Sequence, residues 1–207
     1  MRIELKGNKP DRKEDILNAA LDLFLNKGFH ATSMATIAKE AGVSTSHLYN
    51  FFTNKAEIAI AVEKQLIDSY HRTFTELPGG ELQDRKLTEE CFDVFFEPKR
   101  AKWIVTIFTE ALRNEQVRKE IIENGKNQEK KVLKSLNLDV NSKADMMGYE
   151  FMCSTILGLM MRNLFGTHFS QEELVKAISL AVPKLIDVGR EVEEQILSER
   201  RAEGQPT

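Results

Sequence analysis

The chain has 207 residues, of which 42% are apolar and 29% charged. That length and balance suit one or two globular domains with a packed core, and exclude a disordered or fibrous chain. The formal net charge is -3, but it is unevenly spread. Residues 1–55 hold eight Lys/Arg against six Asp/Glu, and the remainder holds 21 against 26. A basic head on an acidic body permits nucleic-acid binding by one end. The two cysteines, Cys91 and Cys153, form no C-x-x-C pair and no zinc-ligand spacing, so no metal site is expected. Cys153 lies in an apolar helical stretch and reads as core. The N-terminus carries no apolar leader, and the most apolar stretch, Phe151 to Met161, is shorter than the about 20 residues that cross a bilayer. A soluble cytoplasmic protein with no membrane partner is the expectation.

Helical periodicity runs nearly throughout. Ile16, Ala19, Ala20, Leu23 and Phe24 mark one face of a first helix. Asp11 and Glu14 form a capping-box pattern at its start, and Gly28 is a stop at its end. Thr32 or Ser33 caps a short second helix whose apolar face is Met34, Ile37, Ala38 and Ala41, with Gly42 ending it. Ser44 caps a third, from Thr45 to about Phe52. Asn54 with Glu57 opens a longer helix reaching Phe74. Pro78-Gly79-Gly80 is the clearest break. Helices resume over Leu87–Phe96, Lys99–Asn114 and Gln116–Leu136. Ser142 with Asp145 opens another to Gly166, and Ser170 with Glu173 opens the last, to Ser198. Pro183 lies inside that last helix and should kink or split it. No alternating strand pattern occurs, so the fold class is all-α. The domains read as 1–55, 56–200 and a polar tail, 201–207.

Two short helices joined by Ala41-Gly42-Val43-Ser44, with a helix before them, have the layout of a helix-turn-helix. At about 100° per residue, Leu48, Phe51 and Phe52 fall on the inner face of the third helix. Ser46, Tyr49, Asn50 and Thr53 fall opposite, His47 flanks them, and Thr45 stands at the N-terminal end. The outward groups can hydrogen-bond base edges and phosphates. Arg2, Lys6 and Lys9 form either a minor-groove arm or a solvated tail.

The stretch Ile16-Leu17-Asn18-Ala19-Ala20-Leu21-Asp22-Leu23-Phe24 with Gly28-Phe29 resembles the first helix of the TetR/AcrR family of transcriptional regulators. Thr32 to Ala38 is similar to that family's second helix. Ala41-Gly42-Val43-Ser44-Thr45-Ser46-His47-Leu48-Tyr49-Asn50-Phe51-Phe52-Thr53-Asn54-Lys55 matches its turn, recognition helix and the start of helix four. The resemblance covers about residues 12–60. It implies that Tyr49 and Lys55 contact phosphates, that Thr45, Ser46, His47 and Asn50 face the major groove, and that the cap residue Ser44 counts among the DNA-binding residues. Thr32 and Ser33 would meet the DNA backbone. His47 and Asn50 depart from the commoner family choices, which leaves the operator sequence open.

For the remainder, the resemblance implies a helical ligand-binding and dimerisation domain. Phe74, Phe92, Phe95, Trp103, Ile107 and Phe108 are the candidate aromatic and apolar lining of an effector pocket. Met152 and Met161 are adaptable fillers there, and Glu110 is a candidate anchor for a cation. Each of these also reads as ordinary core or surface. Tyr149, Met152, Cys153, Ile156, Met160 and Leu164, with Leu180, Leu185, Val188 and Val192, supply faces for a four-helix dimer interface. No Walker loop, H-E-x-x-H or G-x-S-x-G occurs, and the four histidines are scattered, so neither an enzyme nor a cofactor is expected. The leading expectation is a homodimeric repressor that binds palindromic double-stranded operator DNA and is released by a small-molecule effector. The alternative is a ligand-independent DNA-binding activator or nucleoid-type protein. An all-helical enzyme or interaction module is the third.

Overall fold

The computed structural model describes residues 12–75, 96–166 and 168–203, with the backbone alone for 70–75. Among these the fold is all-α. The helices are α1 (Arg12–Lys27), α2 (Met34–Glu40), α3 (Thr45–Tyr49), α4 (Lys55–Thr75), α5 (Pro98–Ala111), α6 (Glu115–Ser135), α7 (Lys143–Leu164) and α8 (Gln171–Ala202). The expected elements around Asp11, Pro78-Gly79-Gly80 and Leu87–Phe95 lie outside the described residues, as do Arg2, Lys6, Lys9 and Cys91.

The described residues divide into two compact units. The first runs to Ser69 and takes in Lys102–Lys126. Its core draws Ile16, Ala20, Leu23 and Phe24 from α1, Ile37 and Ala38 from α2, and Leu48 from α3. Ala56, Ile58, Ala59, Val62 and Leu66 of α4 close it, together with Trp103 and Ile107 of α5 and Val117 of α6. The unit therefore extends past residue 55, because the first four turns of α4 complete the apolar face that α1 presents. Trp103 stacks against Phe24 with ring centroids 6.0 Å apart, and its indole N–H donates to the buried Glu63 carboxylate at 2.6 Å. A buried carboxylate needs such a donor.

In the second unit α7 and α8 pack as an antiparallel pair along one apolar seam. Met152, Ile156 and Met160 of α7 and Ile178, Val182 and Ile186 of α8 are buried. The two backbones touch at Gly148 and Gly189. A Cβ on Gly189 would stand 2.0 Å from the Ala144 carbonyl oxygen, and one on Gly148 would stand 2.3 Å from that of Ile186. Next to this crossing, the Arg190 guanidinium binds Asp145 Oδ1 at 3.1 and 3.2 Å.

The caps follow the sequence. Ser142 accepts from the Asp145 amide, and Ser170 and Glu173 form a full capping box. Asn54 accepts from the Glu57 amide at 3.0 Å, and the Glu57 carboxylate reaches back to the Thr53 amide at 2.7 Å. Of the two outcomes expected at Pro183, a kink or a split, the split does not occur: α8 runs on to Ala202. Leu174, Ile178, Val182 and Ile186 bury its inner face on both sides of the proline. The third helix ends at Tyr49, not near Phe52, and this changes which side chains it buries.

Candidate nucleic-acid interface

The geometry of α3 starts with its caps. Ser44 holds an extended backbone, and its hydroxyl accepts from the His47 amide at 3.1 Å. Gly42 precedes it at φ +67°, where a side chain would be strained. The amides of Gly42 and Val43 close α2 on the carbonyls of Lys39 and Ala38 at 3.2 and 3.0 Å. This brings α3 across α2, with Leu48 buried beneath it. Thr45, Ser46, His47, Tyr49 and Asn50 all face solvent. The short helix thus presents hydroxyls, an imidazole, a phenol and an amide on one surface, a set that can pair with base edges and phosphates.

Phe51 does not join Leu48 and Phe52 in the core. The amides of Phe51 and Phe52 both reach the Leu48 carbonyl, at 3.0 and 3.1 Å. With the helix ended at Tyr49, the projection of 100° per residue no longer holds beyond it. Phe52 turns inward, and Phe51 is left 39% exposed with its ring against His47 at 5.2 Å.

The other expected DNA-contacting residues divide. Ser33 is exposed and caps α2, accepting from the Thr36 amide at 3.1 Å. Thr32 is 1% exposed. Its hydroxyl lies 2.9 Å from the Gly28 carbonyl and 3.4 Å from that of Leu23, so it serves the end of α1 and offers nothing outward. Lys55 is partly buried and committed elsewhere. Its ammonium donates to the carbonyls of Phe29 at 2.8 Å, His30 at 3.2 Å and Thr32 at 3.0 Å, and lies 4.6 Å from the centroid of the Phe29 ring. Three donors meet three carbonyls, which leaves none for a phosphate in this arrangement. Burial lowers the Lys55 pKa from its ordinary value, and the Glu110 carboxylate opposes that shift. Hydrogen bonds from the Thr53 hydroxyl and amide lower that of Glu57.

The expected effector residues are not gathered into one lining. Phe92 and Phe95 lie outside the described residues, and the Phe74 side chain is not described. Trp103 and Ile107 fill the core of the first unit. Glu110 is 5% exposed, with its carboxylate 3.3 Å from His30 Nε2. Phe108 faces solvent. Met152 is buried in the second unit, and Met161 is partly buried. Among the expected interface residues, Tyr149, Met152, Ile156 and Met160 are buried within the single chain. Leu164, Leu185 and Val188 are partly covered, Leu180 is exposed, and Cys153 and Val192 are partly covered. Among the described residues no group of His, Cys, Asp and Glu could hold a metal ion, and no helix is long and apolar enough to cross a membrane.

A capped three-helix head that displays a short polar helix is a helix-turn-helix of the kind that reads DNA. Residues 16–62 match the family of bacterial regulatory proteins called the tetR family. The HTH-type transcriptional regulator RutR of Escherichia coli strain K12 is 46% identical over 57 residues, 28% of this chain and 27% of that protein. The nicotine-responsive transcriptional repressor HdnoR of Paenarthrobacter nicotinovorans is 28% identical over 86 residues, 42% of this chain and 44% of that protein. The matched stretches thus span about a quarter to under half the length of these curated relatives. A crystal structure described as a TetR-family transcriptional regulator from Mesorhizobium loti superposes with a TM-score of 0.63. It is 21% identical and covers 88% of this chain and 98% of that one, a likeness that speaks for the fold alone.

Proposed function

We propose that the protein is a transcriptional regulator that binds a palindromic operator as a homodimer and leaves it when a small molecule binds. The observation that carries the DNA-binding part is the solvent face of α3, where Thr45, Ser46, His47, Tyr49 and Asn50 stand together above the buried Leu48. Asn50 reads a base, since an amide can pair with adenine through both its donor and its acceptor. With an operator selected from random duplexes, Asn50→Ala is expected to cost about 1–3 kcal/mol on the operator and little on a scrambled duplex. Fluorescence anisotropy at several salt concentrations measures both. Equal losses on the two duplexes would place Asn50 on the backbone. The choice would then pass to Thr45, Ser46 and His47.

The dimer follows from what α7 and α8 leave uncovered. Phe151 and Leu180 are exposed, and Leu185 and Val188 are partly so. Phe151 and Leu180 are the exposed apolar groups on this pair that a second copy would cover, as in a four-helix bundle. Met160, by contrast, is 2% exposed within the single chain and Leu180 is 69% exposed. Leu180→Glu is therefore expected to yield a folded monomer. Met160→Glu should unfold the chain, because it buries an unpaired charge. Sedimentation with circular dichroism separates the two. A wild type that is monomeric at micromolar concentration would refute the homodimer.

The effector reading is supported by the likeness to HdnoR, whose name describes a nicotine-responsive repressor. Its test is linkage: an effector that weakens DNA binding must itself be weakened by saturating operator, by the same factor.

A further inference from the structure

We propose that Phe51 reads the methyl group of a thymine in the operator, with the His47 ring holding it in place; this rests on the DNA-binding reading above. Phe51 was expected in the core. The double use of the Leu48 carbonyl ends α3 early and turns Phe51 outward, beside His47 and Asn50 on the surface that reads DNA. Lone exposed apolar residues are common. Phe51 differs because its ring is held, meeting the His47 ring nearly edge-on at 5.2 Å and 77°. Both rings therefore leave the protein surface as one unit, at a defined place on the helix.

The chemistry of the surface around it points to the occupant. Thr45, Ser46, His47, Tyr49 and Asn50 offer hydrogen bonds, which distinguish the donor and acceptor patterns of the bases. The C5 methyl of thymine offers none, and it is read by apolar contact alone. Phe51 brings an apolar ring to this face with no hydrogen bond to make, unlike the Tyr49 phenol beside it. A phenyl ring against that methyl also shuts water away from the neighbouring His47, whose hydrogen bond to a base edge strengthens when it is dry.

The test replaces each thymine of the selected operator, one at a time, with deoxyuridine. This removes the methyl and keeps the hydrogen bonds. Wild-type affinity is expected to fall about fourfold at one position in each half-site, the worth of one buried methyl. Phe51→Ala should lose affinity for the natural operator and be indifferent to deoxyuridine there. Phe51→Leu, which keeps an apolar side chain, should keep part of the discrimination and guards against a folding artefact. Losses from Phe51→Ala that simply add to those from deoxyuridine at every position would overturn the proposal and put the ring on the sugar-phosphate backbone. So would a Phe51→Ala variant that binds as the wild type does. A chain that selects no sequence at all refutes the DNA-binding reading itself, and this proposal with it.

Discussion

Gly189→Ala is expected to lower the stability of the protein by about 3–5 kcal/mol, a large part of the margin of a typical domain. The new methyl would stand 2.0 Å from the Ala144 carbonyl oxygen and 2.6 Å from the Gly148 amide nitrogen. Both are backbone atoms, so no side chain can swing aside. Relief requires α7 and α8 to part by more than an ångström at their crossing. The packing of Met152, Ile156, Val182 and Ile186 along the same seam would then loosen, and overpacking of that kind is seldom absorbed locally. Urea unfolding followed by circular dichroism measures the loss. Gly125→Ala is the control: it lies within α6 with nothing within 4 Å of a new Cβ, and should gain about 0.5–1 kcal/mol. A Gly189→Ala midpoint close to that of the wild type would show that the two helices are not held in backbone contact.

Lys55→Ala is expected to weaken binding to any duplex by roughly tenfold while leaving its salt dependence unchanged, because the ammonium it removes orders the head rather than touching a phosphate. In the structure that ammonium ties the start of α4 to the carbonyls of Phe29, His30 and Thr32. These belong to the turn that sets α2, and α2 in turn carries α3. Without the lysine the carbonyls regain water but lose their common anchor, at a stability cost of about 1.5–3 kcal/mol. Lys55→Arg should restore little, since a planar guanidinium cannot serve three carbonyls arranged around a point charge. The resemblance puts Lys55 on a phosphate instead. That role would reduce the salt slope by about one in Lys55→Ala, and titration of operator and scrambled duplexes across salt concentrations decides between the two.

The elements were legible where local chemistry repeats. Ser44, Ser142 and Ser170 announced their helices because a hydroxyl before an apolar period has one good use, the first free amides. The exposed face of α3 was legible from the helical projection of Thr45 to Tyr49. Phe51 was not. A helical projection assumes that the helix continues, and at Phe51 the decisive fact is a carbonyl shared by two amides. Thr32 and Lys55 were read as surface residues of a DNA-binding head, yet both spend their polar atoms on the turn after α1. The Lys55 contacts join residues 23 to 26 positions apart, as with Thr32 or Phe29, and periodicity is blind to them. Trp103 and Ile107 read as pocket lining or as core, because aromatic and apolar residues suit both equally, and the structure bears out the core. Only the fold shows that they complete the head.

Trp103 is the one tryptophan of the chain. It is buried, stacked on Phe24 of α1 and bonded through its indole to Glu63 of α4. The protein therefore carries its single indole fluorophore at the point where α5 meets the two helices that support the reading head. Indole emission depends on the polarity around the ring, and here every change in that polarity has one address. The colour and intensity of its light follow the seating of α5 on the head in the unlabelled native chain, whether heat, a bound duplex or a small molecule disturbs it.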